Sequence, residues 1–536
     1  MSQFSDSIES SLVLTVDGEK YSVPGGNIKL CRLALKTTGF NGEVEFWLSD
    51  EYGSGKKLTK DFASEQLIEL QLSIKQYTCS LSSTQESISL TALVGRRSVY
   101  EQQYIELKDN KILYRKYWCE FSDAAQFLWR QHFPCLLYVN KSFGELIKDQ
   151  QVNKISIKFD WSMLDDEKSM ICLGLGATRL CFYDFLLGYL AQNGVFWLYN
   201  YSSNDYAIRA RKVTPERRLS FMPNHIYGLK LSYGIPDVKT QYLLNGHSNI
   251  SSMTRLKRNP LVEGIENHHL IITPFCKVQQ QQRNLQLKLA EPILGRLELG
   301  FKGFPLMVVV PGRGLKFDHF GFSHEGLNHK QSYRSISCDI LLTAIEQQGQ
   351  HDLNQVFTQY QGHYHCHFEH ENDISAGPDC PLSPPCYVEG IIVSENGEEA
   401  DKTYQHHSNK TSEQKEYCID IPLWGKKIKL LSKPDFMPPH FYFPLYKGCR
   451  VLLEMDLFSA QICRVLDFGG GVFLNDKTQG NHLLFGKNGQ DETSLSHVYE
   501  DGKPELVIKR KKMNDTEMVK LEEGKITFQT KQEDDS

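Results

Sequence analysis

The segment at residues 471–536 constrains the fold more than any other stretch, because it carries too few apolar side chains to bury a core of its own. Its apolar residues alternate with polar ones in short runs, at Leu506/Ile508, Val519/Leu521 and Ile526/Phe528. Turn residues separate these runs, at Asn488-Gly489, Asp501-Gly502 and Glu523-Gly524. One copy of such a segment cannot be stable alone. Three copies around a common axis could share a core, each giving one face of a prism, so we predict a trimer, with a disordered tail or a small hairpin as alternatives.

The preceding stretch predicts a small β-barrel. Five runs rich in β-branched or aromatic residues follow one another closely, at Cys386–Ser394, Tyr417–Leu423, Lys426–Leu431, Cys449–Leu457 and Gln461–Phe468. Five short strands in so short a stretch suit a closed barrel of the OB type, which leaves no exposed sheet edge. The approach to the fourth strand, Pro434–Pro444, is rich in proline and predicts a rigid extended loop.

Upstream of the barrel, the chain mixes strands with a few short helices. The Asp17-Gly18 pair predicts a hairpin turn, because glycine adopts positive φ at little cost. Three helices are predicted from caps and apolar stripes, at Ser122–Gln131 with Ser122 as N-cap, at Ser142–Gln150 and at Cys181–Asn193. Strands are predicted at Val195–Tyr199, Leu285–Leu289, Leu297–Gly300 and Leu306–Val310, with a polar loop at Gln279–Gln282.

Composition argues against several classes of partner. The chain has 536 residues, which is long enough for more than one domain, and a net charge of -5 without a field of one sign. Neither nucleic acid nor an anionic membrane is therefore an expected partner. Residues Met1–Ser10 lack the pattern of an export signal, so we expect folding in a cytoplasm. The 14 cysteines include no Cys-x-x-Cys pair and are expected to be buried small hydrophobic residues.

Five stretches, in this order along the chain, carry a family resemblance: Tyr117–Asp123 with Phe127–Trp129, Tyr183–Leu187 with Asn193–Leu198, His363–Glu369, Val388–Val393 and Tyr446–Leu453. The first three resemble parts of the hub of VgrG-type spike proteins. The last two resemble the first strand and the Gly-x-x-Val-Leu-Val strand of that family's OB collar. The order and spacing of these matches cover nearly the entire chain.

The resemblance implies a mainly β chain with a few short helices, divided into three parts. A tail-hub-like domain of two related β-barrels would occupy residues 1–375, with the barrels at roughly 1–150 and 151–375. An OB-fold collar would occupy residues 376–470. A C-terminal trimeric β-prism or β-helix would form a needle from residues 471–536.

The resemblance also implies a function, which is that of a homotrimeric hub and spike in a bacterial contractile injection machine. Three hubs would match the hexameric inner tube and contact baseplate proteins, and a small PAAR-like protein would sit on the needle tip. The spike would cross a target cell envelope. The short needle and the modified collar loop Glu398–Ser412 favour an extracellular, antifeeding-prophage-type particle. The alternative is a type VI secretion or contractile-phage spike with envelope hydrolase, receptor-binding or carbohydrate-binding activity; receptor binding predicts exposed Phe441 and Tyr442.

No catalytic, cofactor or metal site is predicted. The sequence has no Gly-x-Ser-x-Gly elbow and no P-loop, and we find no pair of carboxylates on a helical cleft scaffold. The strongest metal candidate combines three histidines on one strand face with a cysteine: His363, His365 and His367 with Cys380 or Cys386, near His370. Same-face neighbours on a strand lie about 7 Å apart, which is wide for one ion, so we predict a solvated face. The basic run Lys509–Lys512 is predicted to be an exposed face of a needle strand.

Overall fold

Strands dominate the computed structural model. It describes residues 4–49, 54–77, 86–103, 112–160, 166–212, 214–215, 218–221, 223–233, 238–256, 262–273, 275–289, 295–316, 332–345, 353–373, 385–399, 401, 403–409, 414–432, 444–467, 480–488 and 491–532. The predicted mainly β fold is therefore confirmed. The described part of the chain contains no helix long and apolar enough to cross a bilayer.

The strands are, in chain order, β1 (Phe4–Val16), β2 (Glu19–Pro24), β3 (Ile28–Lys36), β4 (Gly39–Ser49), β5 (Ile68–Gln76), β6 (Ile88–Gln103), β7 (Ile112–Ser122), β8 (Cys135–Ser142), β9 (Ile157–Asp160), β10 (Glu167–Gly174), β11 (Phe196–Asn200), β12 (Asp205–Arg209), β13 (Arg218–Leu219), β14 (Ile226–Ser232), β15 (Thr240–Asn245), β16 (Ser252–Arg255), β17 (Glu266–Ile271), β18 (Arg296–Phe301), β19 (Gly314–Lys316), β20 (Ser332–Ala344), β21 (Phe357–His370), β22 (Cys386–Val393), β23 (His407–Ser408), β24 (Lys415–Ile421), β25 (Lys426–Leu431), β26 (Arg450–Met455), β27 (Ala460–Asp467), β28 (Asn481–Asn488), β29 (Asp491–Glu500), β30 (Lys503–Lys512), β31 (Asp515–Glu522) and β32 (Lys525–Lys531). The helices are α1 (Ser54–Phe62), α2 (Ala124–Trp129), α3 (Phe143–Asp149), α4 (Leu175–Thr178), α5 (Phe182–Gln192) and α6 (Cys276–Leu289).

The chain divides into two compact units. The first comprises residues 1–133, 147–164 and 180–382, and we call it the hub unit. The second comprises residues 134–146, 165–179 and 383–536, and we call it the collar-needle unit. Two short pieces of the N-terminal half thus belong with the C-terminal part of the chain. The three predicted domains, with boundaries near residues 375 and 470, remain a proposal.

The hub unit is built on a closed antiparallel barrel. Its strands run in the order β20-β3-β4-β7-β6-β5-β1-β21, and β21 pairs with β20 to close the ring. Alternation places Leu12 and Leu14 of β1, and Leu33 and Leu35 of β3, fully inside. The turn at Asp17-Gly18 joins β1 to β2 with both residues at positive φ, as predicted. Closing the ring removes the exposed edges that an open sheet would present.

The long hairpin of β20 and β21 extends beyond this barrel. In the half of the hairpin nearer the connection between its strands, β20 pairs with β3 and β21 pairs with β1. In the other half, β20 pairs with β19 and β21 pairs with β18. The residues of β21 that follow Gly362 therefore change from one partner strand to another. The candidate metal-binding histidines lie in this region of the hairpin.

Asp123 fixes the start of helix α2. The predicted helix is confirmed, but its N-cap is Asp123 and not Ser122, because the Asp123 Oδ1 accepts a hydrogen bond from the Gln126 N–H at 3.0 Å. Its other oxygen accepts from the Phe40 N–H at 3.0 Å, and the Tyr206 hydroxyl donates to Oδ1 at 2.7 Å. Asp123 is fully buried, and burial raises the pKa of its carboxyl group. One side chain thus joins a helix, a strand and a distant tyrosine.

We expect Asp123→Ala to destabilise the hub unit by about 2–4 kcal/mol, because it removes a helix cap and leaves buried donors without an acceptor. Asp123→Asn is the matched control, since its amide oxygen still accepts hydrogen bonds. The measurement is the midpoint of denaturant unfolding for the full chain. Equal losses for the two variants would contradict this account of the cap.

Two other helices follow the predicted local signals. In α3 the capping box is present, because the Ser142 N–H donates to Glu145 at 2.9 Å and the Glu145 N–H donates to Ser142 at 3.1 Å. Helix α5 ends at Asn193 and is followed by Gly194 at positive φ. The predicted strand after it is confirmed as β11.

Three predictions in the hub unit were wrong. Residues Gln279–Gln282 and Leu285–Leu289 form one helix, α6, instead of a loop and a strand. Glutamine, leucine, lysine and arginine are all good helix formers, so their propensity was the signal that could have found α6. Residues Leu306–Val310 form no strand, although Val308 and Val309 are buried.

The collar part of the second unit contains all five predicted strands. Strands β22, β24, β25, β26 and β27 lie within two residues of the predicted bounds. They form one antiparallel sheet in the order β23-β24-β22-β26-β27, with β25 paired to β24. The core is aliphatic, with Ile419, Val451 and Leu453 fully buried. Strands β8 and β10 form a two-stranded sheet, and Leu137, Met170 and Cys172 belong to this same core. Residues 434–443 of the predicted proline-rich loop lie outside the described residues.

Candidate functional site

The candidate functional surface lies on the C-terminal sheet. Strands β28 to β32 form an antiparallel meander in sequence order. The predicted turns at Asp501-Gly502 and Glu523-Gly524 connect its strands, and Asp501, Gly502 and Gly524 adopt positive φ. The third predicted turn includes Gly489, which lies outside the described residues. Tight turns bring consecutive strands into a fixed register, and this register decides which side chains share a face.

A line of apolar side chains crosses all five strands. The register pairs neighbours directly, in the order Leu483, Leu495, Ile508, Val519 and Phe528. A second line lies two residues away on the same face and contains Leu506, Leu521 and Ile526. We call the face that carries these residues and Phe485 the apolar face.

The apolar face is uncovered in a single chain. Phe528 is 78% exposed, Ile526 is 61% exposed and Ile508 is 48% exposed. Fully burying one such side chain stabilises a protein by about 1.5–3 kcal/mol. A contiguous exposed apolar patch marks a surface that another molecule covers.

The opposite face of the sheet is polar and satisfied within the chain. Lys520 donates to Glu505 at 2.8 Å, to Glu522 at 2.9 Å and to Glu500 at 3.1 Å. Hydrogen bonds with Glu505 and Glu522 raise the pKa of the Lys520 ammonium group, and the bonds from Lys520 lower the pKa values of Glu500 and Glu522. These charged groups of the polar face are therefore paired within the chain, whereas the apolar face is uncovered in a single chain.

The ion pairs of Lys520 with its glutamates should make the sheet of strands β28 to β32 sensitive to acid. A carboxylate with a lowered folded-state pKa contributes stability that is present above its unfolded pKa and is lost as the pH falls through its folded pKa. We expect the needle to become more susceptible to protease below pH 4.5, the ordinary value for Glu522. Lys520→Met should weaken that pH dependence. Lys525→Met is the control, because Lys525 lies 3.7 Å from Glu522 and is well exposed; an equal effect would contradict a central role for Lys520.

The basic run Lys509–Lys512 lies at the end of β30, where Arg510 and Lys512 are exposed and Lys509 and Lys511 are half-buried. Arg510 forms an ion pair with Glu517 of β31 at 3.2 Å. Its strand neighbours alternate between the two faces of the sheet, so the four cations do not form one patch.

The histidine strand has the predicted alternation. Tyr364, Cys366 and Phe368 are buried, while His363, His365 and His367 are only partly buried. His365 contacts Tyr227 at 2.6 Å and Glu298 at 3.4 Å, and His367 lies 3.6 Å from Asp339. Each of the two histidines thus has its own protein partners.

The described residues contain no group of three or more His, Cys, Asp or Glu side chains that could hold a metal ion. Burial and His365 lower the pKa of His363, and His370 contacts the ring of Tyr333. Cys380 lies outside the described residues, and Cys386 lies in the collar beside Cys172. Phe441 and Tyr442, the residues predicted by the receptor-binding alternative, also lie outside them.

Comparisons with known proteins identify the fold. No family model matches the sequence, and a search of curated proteins found no match. A chain of the half-lidded Francisella PdpA-VgrG complex is similar over 98% of this chain and 88% of that chain, with 14% identity and a TM-score of 0.71. A chain of the lidded complex matches 99% of this chain and 80% of that chain, with 13% identity and a TM-score of 0.71.

A third similar structure is the E. coli c3393 protein, described as a type VI secretion component with similarity to the T4 tail proteins gp27 and gp5. It matches 84% of this chain and 99% of that chain, with 11% identity and a TM-score of 0.48. The predicted resemblance to VgrG-like hub and spike proteins is confirmed at the level of the fold.

Proposed function

We propose that this chain, which has the fold of VgrG-like hub and spike proteins, is the trimeric hub and spike of a bacterial contractile injection machine. Its role is mechanical: it joins the inner tube to a needle and carries that needle through a target envelope. The machine is an extracellular, phage-tail-like particle of the antifeeding-prophage type. The protein is made in the bacterial cytoplasm and acts outside the cell as part of the assembled particle.

The observation that carries this proposal is the uncovered apolar face. Five strands place one apolar residue each on a single line across the sheet. Three such sheets around an axis bury all three faces against one another, and only identical chains supply the same register three times. On the opposite, polar face, Lys520 is already paired with glutamates of its own chain. In a trimer the apolar face is thus buried by the two partner chains, and the polar face needs no partner chain for its ion pairs.

The hub unit suits the other end of the assembly. Three copies of the hub, each with two related barrel subdomains, present a ring with pseudo-sixfold symmetry. Such a ring matches a hexameric inner tube, and baseplate proteins surround it. The predicted division near residue 150 is not clean, because β20 and β21 close the first barrel. The closed ring of strands supports this role, because a barrel without open edges is a stiff platform.

The remaining partners follow from the same assembly. A small PAAR-like protein closes the tip of the needle, and the target cell envelope is a transient partner. One of the similar chains comes from a complex named for two proteins, PdpA and VgrG, which supports the assembly of this chain with other subunits. The proposed role requires no enzyme activity, cofactor or metal ion.

The direct test is the mass of the purified full chain in native solution. We expect light scattering after size-exclusion chromatography to give three times the chain mass of 61.6 kDa. Electron microscopy of the same sample should show a broad base with a narrow needle. A monomer at micromolar concentration would contradict the proposal.

A further inference from the structure

Two cysteines that are far apart in the sequence meet in the core of the collar-needle unit. Cys172 lies on β10 and Cys386 is the first residue of β22, and their sulfur atoms are 3.8 Å apart. Backbone hydrogen bonds hold both: the Cys172 N–H donates to the Leu457 carbonyl at 2.9 Å, and Cys386 pairs with Met455. The gap exceeds the S–S bond length of about 2 Å by less than 2 Å.

A glycine provides the space for Cys386. A Cβ atom at Gly174 would lie only 3.0 Å from the Cys386 Sγ and 3.1 Å from its Cβ, so a side chain at position 174 would displace the cysteine. The register places Cys135 of β8 directly opposite Gly174. Cys135 is exposed, whereas Cys172 and Cys386 are 4% and 6% exposed. One solvent-facing thiol therefore lies beside a buried pair.

A hydrogen bond between the two buried thiols favours ionisation of Cys386. The Cys172 and Cys386 sulfur atoms share this bond at 3.8 Å, either atom can donate, and the contact lowers the pKa of Cys386 despite its burial. The same bond raises the pKa of Cys172, and burial raises that of Cys135. The thiolate is the reactive form of cysteine in disulfide exchange.

A second close cysteine pair in the hub unit offers a contrast, because we expect it to stay reduced although its sulfur atoms are closer together. Cys338 and Cys366 face each other on β20 and β21, with their sulfur atoms 3.0 Å apart. Both are fully buried, and burial raises the pKa of Cys366 well above its usual range. A buried thiol of this kind is chemically inert. The chain thus contains an internal control for the first pair.

We propose that Cys172 and Cys386 are a redox-active pair that forms a disulfide on contact with a small disulfide such as glutathione disulfide, and that the exposed Cys135 is the entry thiol. The pair is a modification site in the collar core. It covalently joins β10, in the segment 165–179, to the first strand of the collar. The inference is independent of the proposed injection function.

The exchange proceeds in three balanced steps. The Cys135 thiolate attacks glutathione disulfide, which forms a mixed disulfide and releases one glutathione. The Cys386 thiolate then attacks the Cys135 sulfur and expels the second glutathione. Finally the Cys172 sulfur attacks Cys386, expels the Cys135 thiolate and gives it a proton. Overall two protein thiols are oxidised to one disulfide, and one glutathione disulfide is reduced to two glutathione molecules.

The test treats the native full chain with glutathione disulfide, traps free thiols with N-ethylmaleimide and maps unreduced peptides by mass spectrometry. We expect a peptide that links Cys172 to Cys386, and alkylated Cys338 and Cys366 after denaturation. Dithiothreitol should remove the link. Wild-type protein with Cys172 and Cys386 both alkylated after oxidation would overturn the proposal, and this result needs no variant.

Variants separate the roles of the three thiols. Cys386→Ser and Cys172→Ser should each abolish the linked peptide, whereas Cys366→Ser, the matched control, should retain it. Cys135→Ser should slow formation of the Cys172–Cys386 disulfide by about tenfold, because it removes the accessible thiol. The same disulfide should still form in the end. An unchanged rate in Cys135→Ser would overturn the entry role. Thermal unfolding provides a separate readout, since the oxidised collar should unfold at a higher temperature than the reduced one.

Discussion

Ile508→Asp is expected to convert the proposed trimer to monomers. Ile508 occupies the centre of the apolar line, between Leu495 and Val519 on the adjacent strands. In a trimer the substitution places three carboxylates in one apolar core, and the effective cost of burying an ion is several kcal/mol each. That cost exceeds the roughly 1.5–3 kcal/mol that burial of each isoleucine contributed. The measurement is the mass of the full chain by light scattering, which should fall to one third.

Val507→Asp is the matched control, because it introduces the same charge one residue away on the same strand. Val507 lies on the polar face and pairs with Lys520. A carboxylate there has a cation beside it, so the trimer should persist. If Val507→Asp dissociates the trimer while Ile508→Asp leaves it intact, the opposite face is the interface. If both variants remain trimeric, the needle sheet does not hold the assembly together.

Glu369→Gln is expected to destabilise the hub unit by about 3–5 kcal/mol, the cost of breaking a buried ion pair. One carboxylate oxygen of Glu369 accepts from the Arg334 guanidinium at 2.6 and 3.0 Å, and the other accepts from Lys212 at 2.7 Å. The side chains of Arg334 and Glu369 are 5% and 4% exposed. The variant leaves two cations in the interior without their counter-charge.

The matched control is Glu371→Gln, two residues after Glu369 in the sequence. Glu371 forms a bidentate pair with Arg218 at 2.8 and 2.9 Å, but the Arg218 side chain is 38% exposed. The Glu371 side chain is 11% exposed, but its partner reaches solvent and the pair is screened more than that of Glu369. Glu371→Gln should therefore lower the free energy of unfolding by less than Glu369→Gln does. Denaturant unfolding of the full chain measures both variants. A loss for Glu371→Gln as large as that for Glu369→Gln would contradict the assignment of this effect to burial.

Local signals in the sequence located most elements correctly. The capping box at Ser142, the Asp17-Gly18 turn and the alternation in β21 depend on contacts within a few residues. The N-cap of α2 was placed one residue early, because Ser122 and Asp123 are both good caps. Only the hydrogen bonds from Phe40 and Tyr206 to Asp123 distinguish them. These donors come from distant parts of the chain.

The strands of the collar and the shortage of apolar side chains in residues 471–536 can be recognised from the order of residues. Three features appear only in the folded chain: β20 and β21 close the N-terminal barrel, β8 and β10 join the collar core, and Cys172 meets Cys386. The difference lies in how far apart in the chain the interacting residues are. Turns, caps and alternation act between near neighbours, whereas strand pairing and burial act between segments hundreds of residues apart, whose partners are fixed only when the whole chain has packed.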